Sequence, residues 1–134
     1  MTPVASSARS GTNENSAYRR AITVDSREIA QRLNDALGGT LVSALAGAAD
    51  AKSSHKWAKA HGPQPRQDSV TRLIFAYEQW QRVSEAEGED VARMWFIGAN
   101  PWLQYDTPVN AIRNGHFRQV ADAATALVDD SFNG

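Results

Sequence analysis

The chain has 134 residues, 42% of them apolar and 22% charged, with a formal net charge of -1, which fits one domain of ordinary size or two small ones sharing a core. It has no cysteine, and that excludes disulfide staples, thiolate zinc sites and thiol nucleophiles and suits a cytoplasmic protein. No apolar run is long enough to span a bilayer and no signal-like apolar region opens the chain, so neither a membrane partner nor secretion is expected.

Residues 1–21 are rich in Ser, Thr, Asn and Gly and poor in apolar side chains. Such a stretch buries too little surface to offset its ordering entropy, so a disordered tail is expected, with order beginning near Ile22. Asp25 and Ser26 with Glu28 have capping-box spacing. Ile29, Leu33 and Leu37 recur every four residues, as on one face of a helix. Gly38 and Gly39 stop it, and Thr40 is placed to cap a second helix over 40–48 carrying Leu41, Val42, Leu45 and Ala46. Gly47 inside that helix is expected to cost roughly 1 kcal/mol against alanine. After a break at Ala49-Asp50, a third helix spans 51–60, with Trp57 and Ala60 as its inward pair. Gly62-Pro63-Gln64-Pro65 ends it, because proline bars continuation.

A longer helix follows, capped by Asp68 or Ser69, with Val70, Leu73, Ile74, Tyr77 and Trp80 as its stripe. Gly88 breaks the line. A short helix over 91–96 ends at Gly98, and Asn100-Pro101 signals a turn. Thr107-Pro108 starts a helix with a cap and a first-turn proline, and Asn114-Gly115 ends it. Phe117, Val120, Ala121, Ala124, Leu127 and Val128 keep a 3.6-residue period in the last helix. No segment alternates with period two. The fold class is all-α: a helix-turn-helix bundle over 22–83, then a small helical domain over 84–134.

Enzyme chemistry finds little support. There is no Gly-rich phosphate loop and no HExxH. His55 and His61 stand six apart, which does not bring two ligands to one helix face. The acidic run Glu85, Glu87, Glu89 and Asp90 reads as a solvated linker, because nothing makes its carboxylates converge. No catalytic residue, metal or cofactor is expected.

The charge is split along the chain. Residues 1–83 hold 11 Lys and Arg against 7 Asp and Glu, and residues 84–134 hold 3 against 8, which suits two surfaces with different partners. Residues 51–66 contain four Lys or Arg and no acid. A helix entering the DNA major groove needs hydroxyls and cations outward, and Lys52, Ser53, Ser54, His55, Lys56 and Lys59 supply them. The plainer alternative is a basic, solvated helix. In the C-terminal third, residues 91–103 pack Met94, Trp95, Phe96 and Trp102 around Gly98 and Pro101. This composition suits an interface core and a small helical core equally. Trp95 and Phe96 are adjacent, so one should face the core and the other a partner.

The order Trp95, Asn100-Pro101, Thr107-Pro108 with Val109 to Ile112, the polar turn Arg113-Asn114-Gly115-His116-Phe117, and then the Val120-to-Leu127 helix resembles the MbcA/ParS/Xre antitoxins. These are the partners of RES-domain toxins, and the likeness extends over about residues 25–132. The resemblance implies a non-enzymatic type II antitoxin with a Xre-like N-terminal part. It implies a toxin partner that consumes NAD or modifies proteins with it, and whose NAD pocket is covered by the antitoxin's C-terminal region. Carried onto this chain, Trp95, Asn100, Pro101 and Trp102 would contact the toxin, and Asp129, Asp130, Ser131 and Phe132 would form the plug. The resemblance also implies promoter binding by the complex and a homo-oligomer or a hetero-oligomer with toxin. The alternative is a stand-alone helix-turn-helix transcriptional regulator.

Overall fold

The computed structural model describes residues 26–133. The expected tail over 1–21, the start of order at Ile22 and the cap at Asp25 lie outside them. The described residues form seven α-helices and one 3-10 turn, and no strand. The helices are α1 over 26–37, α2 Gly39–Leu45, α3 Ser53–Ala58, α4 Gln67–Glu87, α5 Glu89–Ile97, α6 Pro108–Arg113 and α7 Phe117–Asn133, with the 3-10 turn Pro101–Leu103 between α5 and α6.

Each helix buries a periodic stripe. Ala30, Leu33 and Leu37 of α1 point inward, as do Val70, Leu73, Ala76, Trp80 and Val83 of α4. Ile74 and Tyr77, expected in the α4 stripe, lie half-buried at its edge. Phe96, Ile112 and Val120 are fully buried, and burying a side chain of that size contributes about 1.5–3 kcal/mol. These residues join one apolar cluster that runs from Leu33 through Trp80 and Phe96 to Ala124. Phe75 of α4 stacks on Phe117 of α7, with ring centroids 4.7 Å apart. The two halves of the chain therefore share an interior.

Several boundaries differ from the sequence expectations for local reasons. Thr40 caps nothing, because α2 already begins at Gly39 behind Gly38. The His55 ring lies where a Cβ at Gly39 would stand, so a larger residue there would have to push that exposed ring aside. Gly47 lies beyond α2 at φ +84, where glycine is the favoured residue rather than a cost. The α3 helix is shorter than 51–60, which leaves Ala60 exposed beyond it and Trp57 half-buried. Neither Asp68 nor Ser69 caps α4: Arg66 holds that position without a side-chain bond, and Ser69 Oγ instead donates to the Ala46 carbonyl at 2.8 Å. At α6 the expected device is present, with Thr107 Oγ1 accepting from the Asn110 N–H at 3.1 Å and Pro108 in the first turn.

Three arginines close helix ends across the fold. The last carbonyls of a helix lack intrahelical donors and carry partial negative charge, which suits a guanidinium. Arg93 of α5 donates to Ala36 at the end of α1, at 2.8 Å. Arg113 of α6 donates to Ala44 at 2.8 Å and Ala48 at 3.3 Å, at the end of α2. Arg72 of α4 donates to Arg113 at 3.0 Å and Ile112 at 3.3 Å, at the end of α6. These bonds span 40 to 69 residues of sequence.

Candidate functional site

Two surfaces hold the residues singled out by sequence. The first is α3. Lys52, His55, Lys56 and Lys59 are exposed there and Ser53 is partly so. Ser54 is not on this surface. It is 0% exposed, and its polar groups are used internally. Its N–H donates to Ser43 Oγ at 2.9 Å, its carbonyl accepts from Asn34 Nδ2 at 3.0 Å, and its hydroxyl donates to Asn34 Oδ1. Ser43 Oγ in turn donates to the Ala51 carbonyl at 3.0 Å. The expectation that Ser54 faces DNA is thus corrected, because the short α3 needs an interior polar knot to lie against α1 and α2.

The cations on this face are not all unopposed. Asp50 receives the Lys52 N–H at 2.9 Å and lies 3.5 Å from Lys56 Nζ. The Lys52 N–H bond foremost, and also Lys56, hold the Asp50 carboxyl below its usual range. The exposed Arg66 adds a further cation after α3. No residues among those described gather three or more His, Cys, Asp or Glu into a metal site, and no described helix is long and apolar enough to cross a membrane.

The second surface belongs to α5 and the loop after it. Among the described residues the large exposed hydrophobics are Val91, Met94, Ile97, Trp102 and Tyr105. All fall within fifteen positions of sequence. Single exposed apolar residues are ordinary, but here they are concentrated in one stretch. Phe96 takes the core position, and Trp95 leans edge-on against it with ring centroids 5.1 Å apart. The Trp95 indole N–H is buried and has no hydrogen-bond partner among the described residues. Trp95 also lines a groove of about 310 Å³, with Val91, Met94, Asn100 and, from α7, Leu127.

Asn100 starts the 3-10 turn, its Oδ1 accepting from the Trp102 N–H at 2.9 Å. Pro101 and Trp102 are exposed at its start. Gln104 and Tyr105 follow at φ 56 and φ 67. A non-glycine residue in this left-handed region costs on the order of 1 kcal/mol or more, so two in succession form a strained turn.

The last described residues are helical, with α7 continuing to Asn133. Asp129 and Asp130 are exposed, just beyond Leu127, and Ser131 and Phe132 lie in the last turn of the same helix. Leu127 of the same helix lines the groove that holds Trp95 and Asn100. The sequence expectations did not include Val91, Ile97, Tyr105 and Leu127 as surface residues. The signal available for α5 was the surplus of apolar residues over 91–97, more than one buried stripe of a short helix uses.

No protein-family profile matches this chain and no curated protein does. Among solved structures, the fold is similar to that of a chain in the crystal structure of the M. tuberculosis MbcT–MbcA toxin–antitoxin complex. The TM-score is 0.63 and the identity 22%, and the match covers 78% of this chain and 94% of that one.

Proposed function

We propose that this chain is a type II antitoxin. It binds a cognate RES-domain toxin, which consumes NAD or transfers its ADP-ribose, and covers the toxin's NAD pocket with its C-terminal region. The observation that carries this is the concentration of exposed apolar side chains over 91–105, beside a groove that ends at Leu127. Such a surface is suited to a protein partner rather than to solvent. The fold likeness to a chain of a toxin–antitoxin complex supports the same reading. So does the charge of residues 84–134, since a pocket for anionic NAD should be lined with cations. In this reading Trp95, Asn100, Pro101 and Trp102 form the docking surface, and Asp129, Asp130, Ser131 and Phe132 enter the pocket. The chain itself catalyses nothing, works in the cytoplasm, and acts as a homo-oligomer or as a hetero-oligomer with its toxin.

The exposed lysines of α3 favour a second role. The toxin complex binds the promoter of its own operon through Lys52, Ser53, His55, Lys56 and Lys59 and represses it. If the chain binds an operator alone and has no toxin, it is a stand-alone regulator.

Co-expression tests the reading. The protein encoded beside this chain is expressed alone and together with it, while growth and cellular NAD are followed. The antitoxin reading expects growth arrest with NAD loss, both reversed by this chain. Arrest and rescue at constant NAD would keep the pairing and reassign the toxin's chemistry. A harmless neighbour would overturn the reading in favour of the regulator.

A further inference from the structure

The link between α2 and α3, residues 46–52, sets the direction in which α3 leaves α2. The α3 helix has six residues, and Lys52 at its start makes no side-chain cap bond. A helix that short does not hold itself in water, so its direction depends on what grips it. The end of α2 is tightly wound. The Gly47 N–H donates to the Ala44 carbonyl and the Ala48 N–H to the Ser43 carbonyl, both at 3.0 Å, with Gly47 at φ +84. This pairing around a left-handed glycine is a Schellman motif. Ser69 of α4 holds the Ala46 carbonyl from one side.

The other grip comes from the second half of the chain. Arg113 Nη1 donates to the Ala44 carbonyl at 2.8 Å and to the Ala48 carbonyl at 3.3 Å. The two acceptors stand on either side of Gly47, one in the last turn of α2 and one in the link. A single cationic nitrogen thus ties the helix end to the start of the link, and bonds from an ionised donor are the stronger kind. Arg113 is half-buried, α6 packs against α2, and the Arg113 carbonyl accepts from Arg72 Nε at 3.0 Å. The Arg72 guanidinium also borders Gly47.

Beyond the link, Lys52, His55, Lys56 and Lys59 are exposed. Two kinds of DNA contact make different demands on such a face. A flexible lysine reaches a phosphate from many helix directions, and these contacts carry no sequence information. Contacts to base edges need the helix at one depth and angle in the major groove. The direction of α3 therefore bears on specificity more than on bare affinity, and Arg113 acts on that direction from the start of the link.

We infer that Arg113 is the positioning residue of the DNA-facing helix: by bridging Ala44 and Ala48 it fixes the turn into α3 and so gives the lysine face its sequence specificity. This rests on the promoter-binding role proposed above. It adds to that role a residue from outside the helix-turn-helix, in the half of the chain proposed to meet the toxin. The face over 51–59 is then not complete in residues 22–83 alone.

The test uses the full chain, alone and in complex with its toxin. Fluorescence anisotropy gives the affinity for a duplex from upstream of this reading frame and for an unrelated duplex of equal length. Salt is fixed and the temperature is well below the unfolding midpoint. The wild type is compared with Arg113→Ala and Arg113→Lys, and growth rescue is followed for each. Arg113→Ala is expected to weaken promoter binding about 10-fold or more, the scale of one mismatched base pair. Binding to the unrelated duplex and growth rescue should stay as in the wild type, a split that a merely structural role would not produce. One nitrogen serves both carbonyls, so the ammonium introduced by Arg113→Lys should restore much of the loss. If Arg113→Ala binds the promoter as the wild type does, the inference is wrong and the promoter role stands. If it weakens both duplexes equally, or abolishes rescue, the residue acts through charge or the whole fold and the inference is overturned. If the wild type itself does not distinguish the two duplexes, the promoter role fails and the inference with it.

Discussion

The backbone N–H of Ser54 donates to the hydroxyl of Ser43 at 2.9 Å inside the protein, and this bond helps decide which side of α3 meets solvent. With Asn34 holding the other polar groups of Ser54, the helix has one orientation, lysines outward. Replacing Ser43 with alanine removes the acceptor and leaves a buried N–H unpaired. The expected loss is about 1–3 kcal/mol, read from the midpoint of urea unfolding. A variant as stable as the wild type would show that the knot does not hold α3.

The outward lysines give a separate expectation. Changing Lys52, Lys56 and Lys59 together to alanine should leave the unfolding midpoint nearly unaltered, because none is buried. If this face binds promoter DNA, the slope of log affinity against log salt should fall by about one for each lysine–phosphate pair removed. An unchanged slope would remove α3 from the interface.

Asp50 sits beside those lysines and works against them. Its pKa is lowered, chiefly by the Lys52 N–H and also by Lys56. A carboxylate whose folded pKa is depressed stabilises fully above its unfolded pKa and loses that contribution as the pH falls through the folded one. At neutral pH the contribution is intact, and only acid below the usual carboxylate range removes it. Asp50→Asn keeps an acceptor for the N–H but drops the negative charge. DNA affinity at fixed salt should therefore rise, and a fall would contradict a phosphate-facing Lys56.

Arg113 and Arg72 form a relay: Arg72 binds the carbonyl of Arg113, and Arg113 binds those of Ala44 and Ala48. Arg113→Ala should cost about 1.5–3 kcal/mol, the range for hydrogen bonds made by a charged group. The double variant with Arg72→Ala should cost less than the two single losses combined, because the residues share one network. Thermal unfolding of the four proteins measures this, and strict additivity would mean the two arginines act independently.

Ending the chain after Ala126 removes Leu127 from the groove, with Asp129, Asp130, Ser131 and Phe132, but keeps the buried Val120, Ala123 and Ala124. The shortened protein should fold, by its circular dichroism, and fail to rescue growth in the co-expression assay. Full rescue would remove the C-terminal end from the mechanism.

Much of the architecture was legible because local chemistry settles it. Thr107 followed by Pro108 supplies both a cap and a fixed first turn, whatever the rest of the chain does. The stripe of α7 survives for a similar reason, since only a 3.6-residue period brings Val120 and Ala124 to one face. The orientation of the residues singled out from the sequence was not legible there. Lysine and serine look equally fit for a DNA face in the sequence, and the hydroxyl of Ser43 meets the backbone of Ser54 only after α2 and α3 fold together.

By itself the sequence determined the all-helical class of the described residues, their proline- and glycine-set breaks, the split charge and the aromatic-rich stretch over 91–103. These follow from periodicity and residue type, which act within a few positions. The tertiary structure alone decided that Ser54 is interior, that Gly39 makes room for His55, that arginines from one half close the helices of the other, and that Trp102 and Tyr105 stand out while Phe96 turns in. Each of these depends on which distant surface reaches a residue first, because burial and hydrogen-bond pairing belong to the packed whole.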